Sequence, residues 1–355
     1  MESQIKLVAY ADDLVILVGA ARKETAVNKA QRTLEILSRW ADLRGLKFSA
    51  TKSQTMSVRG GLKPDYVVKF EASADQQIMA VSPVKYLGVL MDFKRNYWNH
   101  IVEISKKSEM MYSRIRGMYS ANWGINQQMA RILYKAVFLP RVTYAARIWE
   151  RGLLTAKAIK KLGSAQRRPL LAMTGAYRTV STDALQVLAG VKPLDLEIRE
   201  VAIRQKIAAG IVDEPTGRAE IESQLEEWQT RWDRTEKGSW TKGVIPDVRS
   251  RYLLPLTLDH FTSQIMTGHG DFKGKLHQFK LVADPGCACG KGSETVQHVL
   301  YRCPRTEVFR TELKTVMESF DGPWPPRDGA YLKSKRTYEA LRRFASRALR
   351  ARTDR

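Results

Sequence analysis

Every cysteine in the chain falls inside one stretch of seventeen residues, and that stretch constrains the fold more than any other feature. The residues are Cys287, Cys289 and Cys303, with His298, one of five histidines, between the second and the third. The pattern is C-x-C-x8-H-x4-C. Three thiolates and one imidazole form a closed tetrahedral donor set of the kind that structural zinc takes. Cysteines two positions apart reach one ion across a tight turn, and Gly286 and Gly290 give the backbone freedom to make it. His298 and Cys303 are separated by about one helical turn or a short knuckle. No coordination position is left for water, so the expected site is structural rather than catalytic. The alternative is three unrelated cysteines, buried or free. An odd number of cysteines excludes a complete disulfide framework.

Charge narrows the partners. Fifty-nine Lys and Arg against 37 Asp and Glu leave a formal net charge of +22. The excess is clustered. Residues 131–180 hold eleven basic residues, among them Arg141, Lys160, Lys161, Arg167 and Arg168, against one acid, Glu150, a net of +10. Residues 331–355 hold nine against two, a net of +7. Clustering of this kind points to a polyanion, most often nucleic acid, rather than to a merely basic protein. With 44% apolar residues the chain can bury a core, which excludes wholesale disorder. No run reaches the ~18 apolar residues of a membrane span, and the start lacks a basic-then-apolar secretory signal. The expected location is therefore the nucleus or cytoplasm, neither secreted nor membrane-bound.

Periodicity divides the chain. Residues 6–18, KLVAYADDLVILV, read as two short strands around Asp12 and Asp13. Val27, Ala30, Leu34, Leu37 and Ala41 then recur at helical spacing, with Gly45 as the stop. Strands and turns are expected over 46–58 and 66–92. A helix follows with Tyr97, Ile101, Ile104, Ser108, Met111, Ile115 and Met118 on its apolar face, leaving Lys106, Lys107, Arg114 and Arg116 off that stripe. Further helices are expected near 126–150, 155–173, 181–189, 195–212 and 219–233. Loops are expected over Lys237–Pro246 and Gly268–Gly274, and a helix over Leu332–Leu349 after the prolines at 323, 325 and 326. No internal repeat of fixed period is present.

Two adjacent carboxylates at a hairpin tip either face solvent or hold a cation. Presenting them to Mg²⁺ is how a polymerase sets a metal against nucleotide phosphates. Around this tip the strings VAYADDLVILV, GLKFSATKSQTM and VKYLGVLMD follow one another. Together they resemble the latter part of the reverse transcriptase domain of non-LTR (LINE-like) retrotransposons. TGAYRTVSTDALQVLAGVKPLDL, GSWTKGVIPDV and QIMTGHGDF resemble the regions that follow that domain, and CACGKGSETVQHVLYRCP resembles the family's C-terminal CCHC knuckle. The resemblance covers nearly the whole chain in the family's order.

It implies an α+β chain with four parts. Residues 1–95 are the C-terminal half of a reverse transcriptase palm, and 96–235 a helical thumb and connector. Residues 236–320 are a loop-rich region holding the zinc knuckle at 284–305, and 321–355 a basic tail. It implies RNA-directed DNA polymerase chemistry with catalytic Asp12, Asp13 and Lys52. Asp12 and Asp13 would take Mg²⁺, Lys52 would lie near the incoming nucleotide, and Tyr86–Val89 would form the primer-grip turn. Zinc would sit at Cys287, Cys289, His298 and Cys303. Template-primer RNA and DNA would be tracked by Lys106, Lys107, Arg114, Arg116, Arg167 and Arg168, with dNTPs as the small substrates. Trp98, Trp123, Tyr144 and Trp149 are interleaved with these charges, as core residues or as stacking platforms, and His269 is expected to be structural.

The family's fingers and first half-palm, which supply another metal-binding aspartate, precede YADD, whereas Tyr10 stands nine residues after Met1. The expectation is a C-terminal fragment that binds Mg²⁺ weakly and is inactive alone, unless an upstream half joins it in trans. Leu7, Val15 and Leu17 would then leave apolar surface open. The alternatives are a non-catalytic nucleic-acid-binding zinc protein and an inert retroelement relic.

Overall fold

A computed structural model describes residues 5–58, 67–70, 77–117 and 126–353. They fall into two units, Met1–Ile101 and Val102–Arg355. The chain mixes small sheets with helices, as the α+β reading requires, and the second unit is almost wholly helical.

In the first unit, β1 (Ile5–Tyr10) and β2 (Asp13–Val18) pair antiparallel from Ile5↔Val18 to Tyr10↔Asp13. That register leaves a two-residue turn, Ala11–Asp12, with Ala11 in the left-handed region at φ 51°. Helix α1 (Lys23–Asp42) follows. It stops where the sequence places its glycine. Gly45, at φ 69°, donates to the Asp42 carbonyl at 3.1 Å while Leu46 donates to Ala41 at 2.9 Å, which satisfies carbonyls the helix end leaves open. A small sheet runs in the order β3 (Gln54–Thr55), β5 (Gln77–Ala80), β4 (Val68–Lys69). Leu34 of α1 packs with Val68, Phe70 and Ile78, and Ile16, Val27 and Ala30 close over them. The hairpin thus leans on this core through half-buried Ile16 of β2, while β1 is exposed along its whole length. Leu7 and Leu17 remain 47% exposed, whereas Val15 is half-buried. A second hairpin, β6 (Val84–Tyr86) and β7 (Val89–Met91), turns through Leu87 at φ 43° and Gly88 at φ 85°.

Helix α2 (Trp98–Gly117) crosses the division between the units. Asp92 prepares its start by accepting from the Tyr97 backbone N–H at 2.8 Å. Its apolar face is rotated from the predicted stripe. Tyr97, Ile101, Ser105, Ser108 and Tyr112 are buried, while Ile104 and Met111 are only half-buried. The buried set advances by four, four, three and four residues, so small serines and an aromatic sit where the pattern expects aliphatics. Met118 and Trp123 lie outside the described residues, as does the side chain of Ile115.

The second unit continues with α3 (Gln127–Leu133), a π-turn (Tyr134–Phe138), α4 (Leu139–Val142), α5 (Ala146–Trp149) and α6 (Ala156–Thr174). Then come α7 (Thr182–Ala189), α8 (Leu194–Ala208) and α9 (Glu214–Arg234). Side-chain caps set most of these starts. Thr155, Ser181 and Asp213 accept from the N–H three residues on. The expected loop at Lys237–Pro246 instead contains α10 (Ser239–Val244), because Gly238 at φ 79° starts a turn whose Trp240 indole N–H reaches the Ile265 carbonyl at 2.7 Å. Helices α11 (Val248–Leu253), α12 (His260–Thr267), α13 (Lys273–Gln278), α14 (Val296–Tyr301), α15 (Glu307–Asp321) and α16 (Lys335–Thr353) complete the unit. The basic segment at the end is not only a charged surface. α16 buries Tyr338, Leu341, Phe344, Ala345 and Leu349 and packs against α15 and α12.

One buried amide links several of these helices. Gln166 of α6 is fully buried; its Nε2 donates to the Tyr134 hydroxyl at 2.8 Å and the Lys192 carbonyl at 2.9 Å. Its Oε1 accepts from Gln186 of α7 at 2.8 Å. Replacing it with an apolar residue of similar volume strands three buried polar groups, each worth about 1–3 kcal/mol. We expect Gln166→Leu to lower unfolding stability by about 3 kcal/mol or more, measured by urea denaturation. A loss within ~0.5 kcal/mol, the range of ordinary surface changes, contradicts that role.

Candidate metal centre and nucleic-acid interface

The Cys/His segment is built by turn geometry before any metal is considered. The Cys287 N–H donates to the Gly292 carbonyl at 2.8 Å and the Gly290 N–H to Cys287 at 2.9 Å, folding the segment into a tight loop. Gly290 and Gly292 lie at φ 72° and 110°, where a side chain is strained. Thr295 then caps α14 by accepting from the His298 N–H at 3.1 Å. This places His298 in the first turn, and the Cys303 N–H comes back to the His298 carbonyl at 2.7 Å.

The four side chains converge. One ligand atom from each of Cys287, Cys289, His298 and Cys303 lies within 4.8 Å of every other. The Cys287 and Cys303 sulfurs are 3.7 Å apart, and Cys289 Sγ is 3.3 Å from His298 Nε2. Two sulfurs at the ~2.3 Å Zn–S distance on a tetrahedron stand about 3.8 Å apart. The donor set and its spacing therefore fit a four-coordinate zinc ion. Burial pushes the Cys287 thiol up to about 12. The Lys291 backbone N–H, 3.3 Å from Cys289 Sγ, holds that thiol below its ordinary value. Burial lowers His298, which keeps its imidazole neutral and able to ligate.

Sequence reasoning missed the supports of this site. The Arg310 guanidinium is buried and donates to the carbonyls of Leu300 at 2.8 Å and Cys303 at 2.7 Å, and to the Thr306 hydroxyl at 2.7 Å. It also pairs with Glu307. Buried Glu294 pairs with Arg352 of α16, which reaches the Asp271 carbonyl at 2.6 Å as well. The available signal was positional: Arg310 occupies the same helical stripe as buried Leu313 and Met317.

The other predicted residues are distributed as follows. Asp12 and Asp13 are both exposed at the tip of the β1–β2 hairpin. Two adjacent hard oxygen donors suit Mg²⁺, which keeps water or phosphate oxygens in its remaining positions. Lys52 is exposed in the turn before β3, with no hydrogen bond or ion pair to either aspartate among the described residues. Lys106, Lys107 and Arg114 are exposed on α2, with Lys107 paired to Glu103 at 2.8 Å. Lys161 meets Glu109 at 3.4 Å and Arg168 bonds Ser113, so α2 and α6 join their basic surfaces. Arg167, one position from Arg168, turns inward. It donates to the Arg178 carbonyl at 2.5 Å, the Val180 carbonyl at 2.7 Å and the Thr182 hydroxyl at 3.0 Å. The Arg116 side chain lies outside the described residues.

Among the interleaved aromatics, Trp149 is fully buried, with its indole N–H on the Tyr144 carbonyl at 2.9 Å, while Tyr144 is 56% exposed. Trp98 is half-buried. His269 bonds Thr179 through Nδ1 at 2.8 Å, and burial, with Lys275 nearby, pushes its imidazole down to about 4.

Comparison with known proteins places these features. Residues 1–91 match the family described as reverse transcriptase (RNA-dependent DNA polymerase). A Pol polyprotein from type-1 retrotransposable element R1 of Bradysia coprophila is 31% identical over 321 residues, covering 86% of this chain and 32% of that protein. A 115 kDa protein of the type-1 element R1DM of Drosophila melanogaster is 30% identical, covering 86% of this chain and 31% of that protein. A Pol polyprotein from element R1 3 of Nasonia vitripennis is 30% identical over 85% of this chain and 86% of that protein. The chain thus spans about a third of the first two relatives. No solved structure matches it.

We expect one zinc per purified chain. Cys303→Ser should reduce the metal content to well below one and loosen the segment around α14, as read by metal analysis and by hydrogen exchange. A variant that retains one zinc per chain contradicts the ligand set.

Proposed function

This chain belongs to the Pol polyprotein family of type-1 (R1) retrotransposable elements, the non-LTR reverse transcriptases, and from that premise we propose that it carries the metal-binding hairpin, thumb and zinc knuckle of an RNA-directed DNA polymerase. The observation that carries the proposal is the exposed aspartate pair at the β1–β2 tip, inside the segment that matches the polymerase family. Asp12 and Asp13 would hold Mg²⁺, whose contribution is to neutralise charge on the transferring phosphoryl group. The hairpin's own task is placement. The six-pair register of β1 and β2 fixes where both carboxylates stand, and the packing of Ile16 on α1 anchors that register from one side. Lys52 would balance negative charge near the incoming nucleotide.

The helical region serves as a backbone tracker. Lys106, Lys107, Arg114 and Arg168 lie on the joined α2–α6 surface and would contact phosphates, which supplies affinity without sequence information. Arg116 is proposed with them. Arg167 holds the 178–182 segment and would meet nucleic acid elsewhere than on the tracked duplex backbone. The zinc knuckle folds the segment 287–303 into a rigid unit, and the partners are template-primer RNA and DNA, met in the nucleus or cytoplasm.

These 355 residues supply two adjacent carboxylates at the tip, whereas two-metal catalysis distributes its ligands over more of a palm. By themselves they are proposed to bind nucleic acid without extending a primer. Template-primer extension by the purified chain should give no product above an Asp12→Asn control, and product above that control refutes inactivity. Binding to an RNA–DNA duplex should weaken steeply with salt, by about 10³-fold between 50 and 200 mM if some six phosphates are contacted. Salt-independent affinity refutes the backbone-tracking reading.

A further inference from the structure

A cleft of about 650 Å³ lies between the starts of α7 and α10 and the end of α12, with Arg167 of α6 in its wall. Its walls include Arg167, Ser181, Asp183, Lys237, Thr241 and His269. A volume of that size falls in the range of small-ligand sites. Its chemistry is selective. Arg167 spans the cleft wall while bonded to the 178–182 segment, so its cation is held in place rather than free to swing. Lys237 is exposed and makes no hydrogen bond or ion pair to a described residue. Its neighbour Lys242, by contrast, is committed to the carbonyls of Asp233 at 3.0 Å and Thr235 at 2.8 Å.

Helix α7 opens into the same space. Its cap, Ser181, accepts from the Ala184 N–H at 3.2 Å, and the N–H groups of Thr182 and Asp183 stand in the first turn, where a helix presents its partial positive charge. The one carboxylate of the lining, Asp183, accepts from the Thr235 hydroxyl at 3.1 Å and partly offsets the cations. A second feature asks for a ligand. Thr241 is 1% exposed, and its hydroxyl has no hydrogen-bond partner among the described residues. A buried hydroxyl left in that state is unfavourable, and of the described hydroxyls so placed (Ser38, Ser105, Tyr112 and Thr241) only Thr241 lines this cleft. An acceptor bound there would supply the partner its hydroxyl lacks. His269, held neutral and fixed by Thr179, offers hydrogen bonding without charge.

We propose that this cleft binds the terminal phosphate of a nucleotide, clamped between Lys237, Arg167 and the start of α7, with Thr241 donating to a phosphate oxygen. A cleft of one-nucleotide size takes a chain end or a free nucleotide more readily than a strand running through, and the paired cations favour the doubly charged monoester over a diester. The site adds end recognition to the nucleic-acid binding proposed above, on which it rests.

The test uses the full chain with three probes: a 5′-phosphorylated oligothymidylate, its 5′-hydroxyl counterpart and thymidine 5′-monophosphate. The phosphorylated strand should bind about tenfold tighter than the hydroxyl strand. Lys237→Glu, a surface change, should erase that preference while leaving the affinity for the hydroxyl strand within about twofold. Thr241→Val should reduce the preference in the same direction. Displacement of the phosphorylated strand's advantage by thymidine monophosphate assigns the cleft to free nucleotides, and resistance to it assigns the cleft to strand ends; either supports a phosphate site. Equal affinity for the two strands, or a preference that survives Lys237→Glu, overturns the proposal. Failure of the hydroxyl strand to bind at all refutes backbone tracking instead, and thymidine monophosphate binding then decides the cleft alone.

Discussion

Gln166 cannot be solvated, and the arrangement of the helical unit follows from satisfying it. Its amide draws the π-turn hydroxyl of Tyr134, the carbonyl that precedes α8 and the Gln186 side chain of α7 to one point on α6. A buried amide with its partners in place is specific in a way that aliphatic contact is not, because a shift of one residue strands several polar atoms at once. Nearby, Arg251 closes the same logic from α11. Its guanidinium is 2% exposed and donates to the Leu188 carbonyl through Nε at 3.1 Å and Nη2 at 2.6 Å, and to Leu254 at 2.7 Å. Gly190 must be glycine beside it, since a Cβ there would lie 2.7 Å from Nη1 and the backbone sits at φ 64°. The end of α7 is thereby fixed, and with it the position of the α7 start that faces the phosphate cleft.

The knuckle uses a related device. Arg310 gathers the carbonyls of Leu300 and Cys303 and the Thr306 hydroxyl, so the chain around Cys303 is held by a buried cation beside the candidate metal ligands. Two supports of different kinds would act on one loop. Hydrogen bonds orient the thiol-bearing backbone, and a metal bound by the four candidate ligands would close the ring. Through Glu294 and Arg352 the knuckle is joined to α16, which links the basic segment at 331–355 to the candidate metal centre.

Much of this was legible in the residues. The hairpin at 6–18 could be read because β-branched runs flank an acidic pair, and α1 because Val27, Ala30 and Leu34 keep one period to a glycine stop; all three pack in the observed core. The ligand quartet was legible because thiols are scarce and clustered. The rotated face of α2 was not, since Ser105 and Ser108 are polar by type yet buried by position. Nor was α10, where a tryptophan finding the Ile265 carbonyl outweighs a glycine-rich local pattern. Arg167 and Arg168 illustrate the limit: adjacent, identical and equally basic, one faces inward to backbone carbonyls and the other outward to Ser113.

Local order in the chain therefore determined the strands around Asp12 and Asp13, most helices and which cysteines and histidine could converge as a candidate ligand set. Each of these depends on residue type and short spacing alone. Tertiary structure alone decided which arginines are structural, which polar groups are buried, and that segments around 167, 181, 237 and 269 meet in one cleft. Those outcomes depend on hydrogen bonds whose partners no helical or strand period marks: the carbonyls that Arg167 takes lie 11 and 13 positions on, and the Thr179 that holds His269 lies 90 positions back.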